Sequence, residues 1–266
     1  MNALITTDWT VPGNFILLSL IFFIIVFLRY VILSGLYQQV FFGWLKDKFQ
    51  IRLLATREFS SRQRIREIVW SGISSLIFSI SGVLMLILWQ EGYTRLYIDL
   101  NAYSIWYLPV SLLLYLFIHE TYYYWLHRWM HLPGVFRKVH KVHHNSIQTS
   151  SWTSFSFHPY ESLLQALIIP LLLFVIPIHI YMLLVLLILM TLSAIINHAS
   201  VEVYPAGFES NLIGQWLIGA VHHDIHHQKF KYNFGLYFTF WDKWMKTESP
   251  EFKPKFQEKT KKNKTE

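Results

Sequence analysis

From Ser162 to Asn197 the chain runs almost without charge, and a stretch of that length has few ways to fold. As a single helix it would overshoot a bilayer hydrocarbon core about 30 Å thick. Pro170 and Pro177 punctuate it, so it is read as two short helices forming a hairpin that enters and leaves the membrane by one face. Three more apolar segments precede it, at about Phe15 to Leu36, Val69 to Trp89 and Ile105 to Leu126. The composition agrees with a membrane location: 53% of residues are hydrophobic and only 15% charged, against about 25% in soluble domains. The expected fold is therefore an all-α integral membrane protein with about four to five membrane-embedded helices.

Orientation follows from the basic residues. Lys46 to Arg66 is densely basic, which places it on the cytoplasmic side and the N-terminus outside. Residues 1–14 have neither a basic run before the apolar segment nor a small-residue cleavage site, so the first span is expected to be retained. Arg29, late in that span, is expected to snorkel toward the following loop. The formal charge of +7 is spent on juxtamembrane loops and a Lys-rich tail, where anionic headgroups and topology place it; nucleic acid is not expected as a partner. With no cysteine in the chain, thiolate metal sites and cysteine nucleophiles are excluded, and any metal must be held by nitrogen or oxygen.

All the chemistry-bearing density lies in histidine clusters on the cytoplasmic side. His127 and His131 are spaced i, i+4; His140, His143 and His144 are spaced i, i+3, i+4; His223, His226 and His227 repeat that triplet, with His222 beside them. On a helix such positions share a face, so their imidazoles can converge on one centre. Nine or more candidate nitrogens are too many for one ion, since a catalytic zinc keeps about three protein ligands and an open position. Two ions share them better. Helical-bundle di-iron enzymes use Glu-x-x-His motifs, which these clusters lack, so an all-histidine site is the alternative. Imidazole suits iron and zinc alike, and the residues do not name the metal.

HRWMH, HKVHH and HHDIHH, with HPYE after the second cluster and WDKWMKTES after the third, resemble the fatty-acid hydroxylase/sterol desaturase superfamily of membrane histidine-box di-iron oxygenases. The likeness covers roughly Arg66 to Glu248. Its nearest flavour is the C-4 methylsterol monooxygenase branch, through His222-His223-Asp224, Trp241-Asp242 and Thr247-Glu248-Ser249. The resemblance implies iron ligation by His127, His131, His140, His143, His144, His223, His226 and His227, with His198 in NHASVE as a ninth ligand and His222 as a further candidate. Fatty-acid 2-hydroxylases carry another histidine four residues after the position of His198; here that residue is Glu202. Either Glu202 or His222 completes the set, or one iron is less fully ligated. Glu120, seven residues before His127 and on the same helix face, and Asp224 are expected behind the ligands, with a basic partner for Glu120 and a helix cap for Asp224 as the plainer readings. His119, His158 and His179 are expected to be structural, and Tyr122, Tyr123 and Tyr124 interfacial.

The resemblance further implies two iron ions, dioxygen as co-substrate, hydroxylation or desaturation of a membrane lipid with a sterol-like substrate favoured, and electrons from a cytochrome b-type or ferredoxin partner with its reductase. Zinc is a foreseeable substitute for iron in purified protein. A fatty-acyl, sphingolipid, alkylglycerol or carotenoid hydroxylase stays open, as do a zinc-dependent membrane hydrolase and a non-catalytic metal-binding protein. The chain divides into N-terminal spans and basic loop (1–104), a histidine-box domain (105–250) and a solvated Lys-rich tail (251–266). Lys262 and Lys264 fit a C-terminal retrieval pattern; the compartment is endoplasmic reticulum in a eukaryote and inner membrane in a bacterium.

Overall fold

Three helices are long and apolar enough to cross a membrane in the computed structural model, which describes residues 6–261. Helix α1 (Pro12–Gln39) starts on a proline at its first turn and runs on through a π-helical segment, Val40–Trp44. Helix α2 (Ser61–Gln90) begins on a cap in which the Ser60 side chain accepts the Gln63 N–H. The two pack closely because α2 turns glycines toward α1, Gly72 against Phe27 and Gly82 against Phe22, while its buried Ser71 and Ser74 face Trp152, Phe157 and Ser162. Small side chains let membrane helices approach where no hydrophobic effect drives them together.

After a two-residue strand β1 (Leu96–Tyr97), helix α3 (Tyr107–Met130) carries Ser111, Tyr115, His119, Glu120, Tyr123 and His127 on its buried face. That polar stripe separates α3 from the three plainly apolar spans. Its C-cap is His131, and Pro133 opens the next helix, α4 (Pro133–Val139), which runs into the short α5 (Lys141–His144). The hairpin consists of α6 (Pro159–Val175) and α7 (Ile180–His198), separated by strand β2 (Ile178–His179), which pairs in parallel with β1. Pro177 lies in the break, whereas Pro170 stands inside α6; one proline costs a helix one internal hydrogen bond and need not end it. His179 and His158 are N-caps, accepting Tyr181 N–H and Tyr160 N–H, and His179 sits at the end of the hairpin remote from the other histidines.

Two further helices, α8 (Ala220–Lys229) and α9 (Phe240–Trp244), precede the last, α10 (Phe252–Thr260). Residues 252–260 are not the solvated tail that their lysines suggested. Phe252 and Phe256, one helical turn apart, are buried with Val221 and Ile225 of α8, and Lys255 reaches Asp224 at 2.7 Å. Lys262 and Lys264 lie outside the described residues. The basic segment also does more than mark topology: Leu53 bridges to Val201, and Arg52 donates to the Tyr204 carbonyl at 2.6 Å. Arg29 lies ten residues before the end of α1, about 15 Å along the axis, and lines an internal cavity; it does not snorkel to the loop.

Candidate metal centre

Each histidine triplet splits between two groups. His140 and His144 join His127, His131 and His226 in one group; His223 and His227 join His143 and His198 in the other. In each triplet the i, i+4 pair enters one group and the i+3 member the other, in opposite senses. Within a group the ligand atoms all lie within 4.8 Å of one another. The helix geometry explains this division: i and i+4 lie 40° apart around an α-helix and i+3 on the other flank, so one short helix serves two neighbouring centres.

The tautomers can be read from the partners. His127 Nδ1–H donates to the Phe234 carbonyl at 2.8 Å, His226 Nδ1–H to the Tyr232 carbonyl at 2.7 Å, and His198 Nδ1–H to the Ala194 carbonyl at 2.6 Å. A carbonyl only accepts, so these neutral rings present a bare Nε2 lone pair inward. Glu161 accepts the Nδ1–H of His140 at 2.8 Å and fixes that ring in the same way. The Nε2 atoms then meet at 3.0 Å for His127 and His140, 2.9 Å for His223 and His198, 3.1 Å for His198 and His143, and 3.1 Å for His226 and His144. For His127 and His140, both fixed through Nδ1, the contact is between two lone pairs and is not a hydrogen bond; a cation placed between them makes it favourable. Ligands about 2.1 Å from one metal and at right angles sit about 3.0 Å apart, while a tetrahedral arrangement would spread them to about 3.4 Å. The donor set fits two metal ions with imidazole-rich coordination.

Burial keeps these rings neutral. It holds His140, His143, His144, His223, His226 and His227 well below the usual imidazole range and pushes His131 down to about 2, with neighbouring imidazoles adding to the effect. Unfolded, the same rings titrate near 6.5, so below that pH the unfolded chain binds more protons than the native one and stability falls as pH falls. Thermal midpoints of metal-free protein should therefore be level above about pH 6.5 and drop steeply beneath it; a flat profile down to pH 5 would contradict this account.

Residues behind the ligands hold the loop that supplies the Phe234 and Tyr232 carbonyls. Glu120 accepts Leu236 N–H and Tyr237 N–H at 3.0 and 2.7 Å, and Asp242 accepts Phe234 N–H and Gly235 N–H, both at 2.9 Å. Glu120 thus has main-chain partners in place of a basic one, while the residue whose carbonyl takes the His127 Nδ1–H, Phe234, has its own N–H held by Asp242. Thr247 donates to Asp242, and Asn233 bridges the His222 carbonyl and Ser249 N–H. Gly235 is held so tightly that an added Cβ would lie 2.6 Å from the Phe238 carbonyl oxygen and 3.0 Å from Glu120. Gly235→Ala should lower stability by about 1–3 kcal/mol, seen as a reduced thermal midpoint with weaker metal retention; an unchanged midpoint would refute the tight packing.

Not every expected residue stands with the metal groups. His222, one position and so about 100° around the helix from His223, faces Phe252, and both its nitrogens are buried without a partner. Glu202 accepts Val221 N–H and Tyr204 N–H and joins neither group. Asp224 accepts from Lys255 and Gln228, on the side of α8 facing α10. His119 hydrogen-bonds the Tyr237 hydroxyl. Two carboxylates had drawn no attention in the sequence: Glu161, the Glu of HPYE, and Glu67 at the start of α2. Glu67 is fully buried and accepts Ser146, Ser150 and Thr153 hydroxyls and the Gln63 amide, pinning the Ser/Thr-rich loop that follows His144.

An apolar cavity of about 350 Å³ runs between α1, α2, α3, α6 and α7. Phe22, Met85 and Leu183 line it, and it reaches His198 of the four-histidine group. Its size is that of small-molecule sites.

A helical integral membrane protein, closed at one end by two groups of inward-facing histidines able to hold metal, is the class this architecture defines. The chain belongs to the fatty acid hydroxylase family, whose model matches residues 112–247. It is similar to lathosterol oxidase from Homo sapiens, 32% identical over 198 residues that make up 73% of this chain and 64% of the relative. It is also similar to a Delta(7)-sterol 5(6)-desaturase from Candida albicans, 31% identical over 162 residues, or 58% of this chain and 38% of that one. The corresponding desaturase from Saccharomyces cerevisiae is 29% identical over 155 residues, with 58% and 40% covered. The chain thus spans less than two thirds of the length of these relatives. No solved structure matches it.

Proposed function

We propose that the chain is a dioxygen-dependent oxidoreductase that oxidises a C–H bond of a membrane lipid at a pair of irons held by the two histidine groups, with a sterol-like substrate. The observation that carries this reading is that the apolar cavity ends on His198, in the group that has four histidines where its neighbour has five. A centre with fewer protein ligands keeps positions for a reactant. Bound iron would supply activation of dioxygen. The chain's own residues do the rest: the carbonyls of Phe234, Tyr232 and Ala194 hold three rings with Nε2 inward, Glu161 orients His140, and the apolar walls admit lipid and exclude water.

The stoichiometry requires a partner. Desaturation takes two hydrogens from adjacent carbons and, with two electrons and two protons from outside, reduces dioxygen to two waters; hydroxylation puts one oxygen atom in the product and one in water. A cytochrome b-type or ferredoxin donor with its reductase fits this need, acting at the histidine face of the bundle, which we assign to the cytoplasmic side. The names of the relatives favour ring desaturation over the C-4 methyl oxidation suggested by Thr247-Glu248-Ser249, residues that here brace the Asp242 loop. A zinc hydrolase would need a carboxylate base at the metal, and among the described residues no carboxylate stands in either group.

The test is turnover in lipid nanodiscs with iron, a reduced electron donor and labelled dioxygen, offering a Delta(7)-sterol. A product lighter by two hydrogens supports the reading, and one heavier by a labelled oxygen identifies a hydroxylase. Unchanged substrate, from this and from other sterol and fatty-acyl lipids with iron bound, would refute it.

A further inference from the structure

Among the described residues after His198 no helix is long and apolar enough to cross a membrane, yet part of the region packs against the middle of α3. Phe240 of α9 stacks on Phe117 of α3 with ring centroids 5.5 Å apart. Phe117 precedes His127 by ten residues, about 15 Å along the helix axis, and lies near the middle of α3. From there an apolar surface continues outward. Trp244 packs on Phe240 and is 59% exposed; Leu212 and Ile213, in the neighbouring turn, are 82% and 68% exposed, with Trp216 beside them. The segments of this unit on either side of α8 are joined by the Leu217 to Phe238 bridge and by Thr239 N–H to the Trp216 carbonyl.

Its backbone is satisfied internally to an extent that water would not demand. Asn211 Oδ1 accepts Ile213 N–H and Gly214 N–H, Glu120 and Asp242 take four main-chain N–H groups between Phe234 and Tyr237, and Thr239 Oγ1 donates to the Gln215 carbonyl. Lys243, next to Trp244, folds its ammonium back onto the Gln215 carbonyl and the Trp216 ring. Irregular backbone enters hydrocarbon only when its polar groups are paired within the protein, and Trp gathers where hydrocarbon meets headgroups.

We infer that Leu212, Ile213, Trp216, Phe240 and Trp244 form a wedge seated in the bilayer, continuous with the lipid-facing side of α3, so that the unit carrying the third histidine cluster is itself membrane-inserted. The occupant of this surface is lipid, not a second protein. The inference does not depend on the metal or on the reaction.

The absence of cysteine from the chain makes the test direct. Leu212→Cys, Ile213→Cys and Trp244→Cys are made singly in the full chain, with Glu258→Cys on exposed α10 as the aqueous control, labelled with bimane and placed in phosphatidylcholine vesicles containing nitroxide-tailed lipid. The wedge positions should be quenched by the lipid nitroxide several-fold more than the control, and should react several-fold more slowly with a membrane-impermeant maleimide. Three substitutions guard against one that fails to fold. Control-like quenching and labelling would overturn the inference. Protection from maleimide without nitroxide quenching would also overturn it, and would point to a second protein chain on this face.

Discussion

Alanine at His143 or His226 should abolish turnover while leaving the helical bundle folded. The two residues belong to different groups, so the substitutions test the pair of centres separately. A lost ligand should cost more than about 100-fold in activity, because even the partners behind metal ligands are typically worth about 10–100-fold. The fold should survive, because α5 and α8 are held by other contacts: Glu67 pins the loop after His144, and Phe252 and Phe256 pack on α8. The two variants should differ in metal content. His226→Ala leaves four histidines in its group, whereas His143→Ala leaves three in the other, so His143→Ala should lose its metal more readily. Circular dichroism and elemental analysis of purified protein would check both points; full activity in either variant would remove that residue from the centre.

Glu161→Ala should weaken metal binding by about 10–100-fold without removing any ligand. Glu161 is buried, and its Oε1 takes both the His140 Nδ1–H and the Gln165 amide. Without it, His140 keeps a buried donor with no partner and loses the contact that aims Nε2 inward. Glu161→Gln retains an acceptor oxygen of the same reach and should restore much of the affinity. Excess iron should rescue Glu161→Ala but not His143→Ala. Equal iron titration curves for Glu161→Ala and the parent protein would show that the contact is structural only.

The spacing of the histidines made the site legible because a helix converts i, i+3, i+4 into one face regardless of what lies across from it. Length and the two prolines, Pro170 and Pro177, made the hairpin legible, but not which of them marks the break; Pro170 stands inside α6. What such patterns could not supply was anything set by a distant partner. Glu161 meets His140 across 21 positions, and nothing local to it marks the contact; Glu120 was marked by sharing the helix face of His127, but its partner Leu236 lies 116 positions away. His222 looked like His223 in sequence, but one residue of helical rotation turned it toward Phe252. Asp224 met Lys255 because α10 folds back, and the tail's lysines concealed the two phenylalanines that make it do so. Nor could the spacing show that each triplet serves two centres, which depends on α5 and α8 facing one another.

The most direct test of the central claim is Mössbauer spectroscopy with elemental analysis on protein purified in mild detergent from cells grown in iron-57 and reconstituted with ferrous iron. The account predicts one iron in each histidine group and magnetic coupling between them. Folded protein that binds no iron, or that holds a single uncoupled ion, would contradict it.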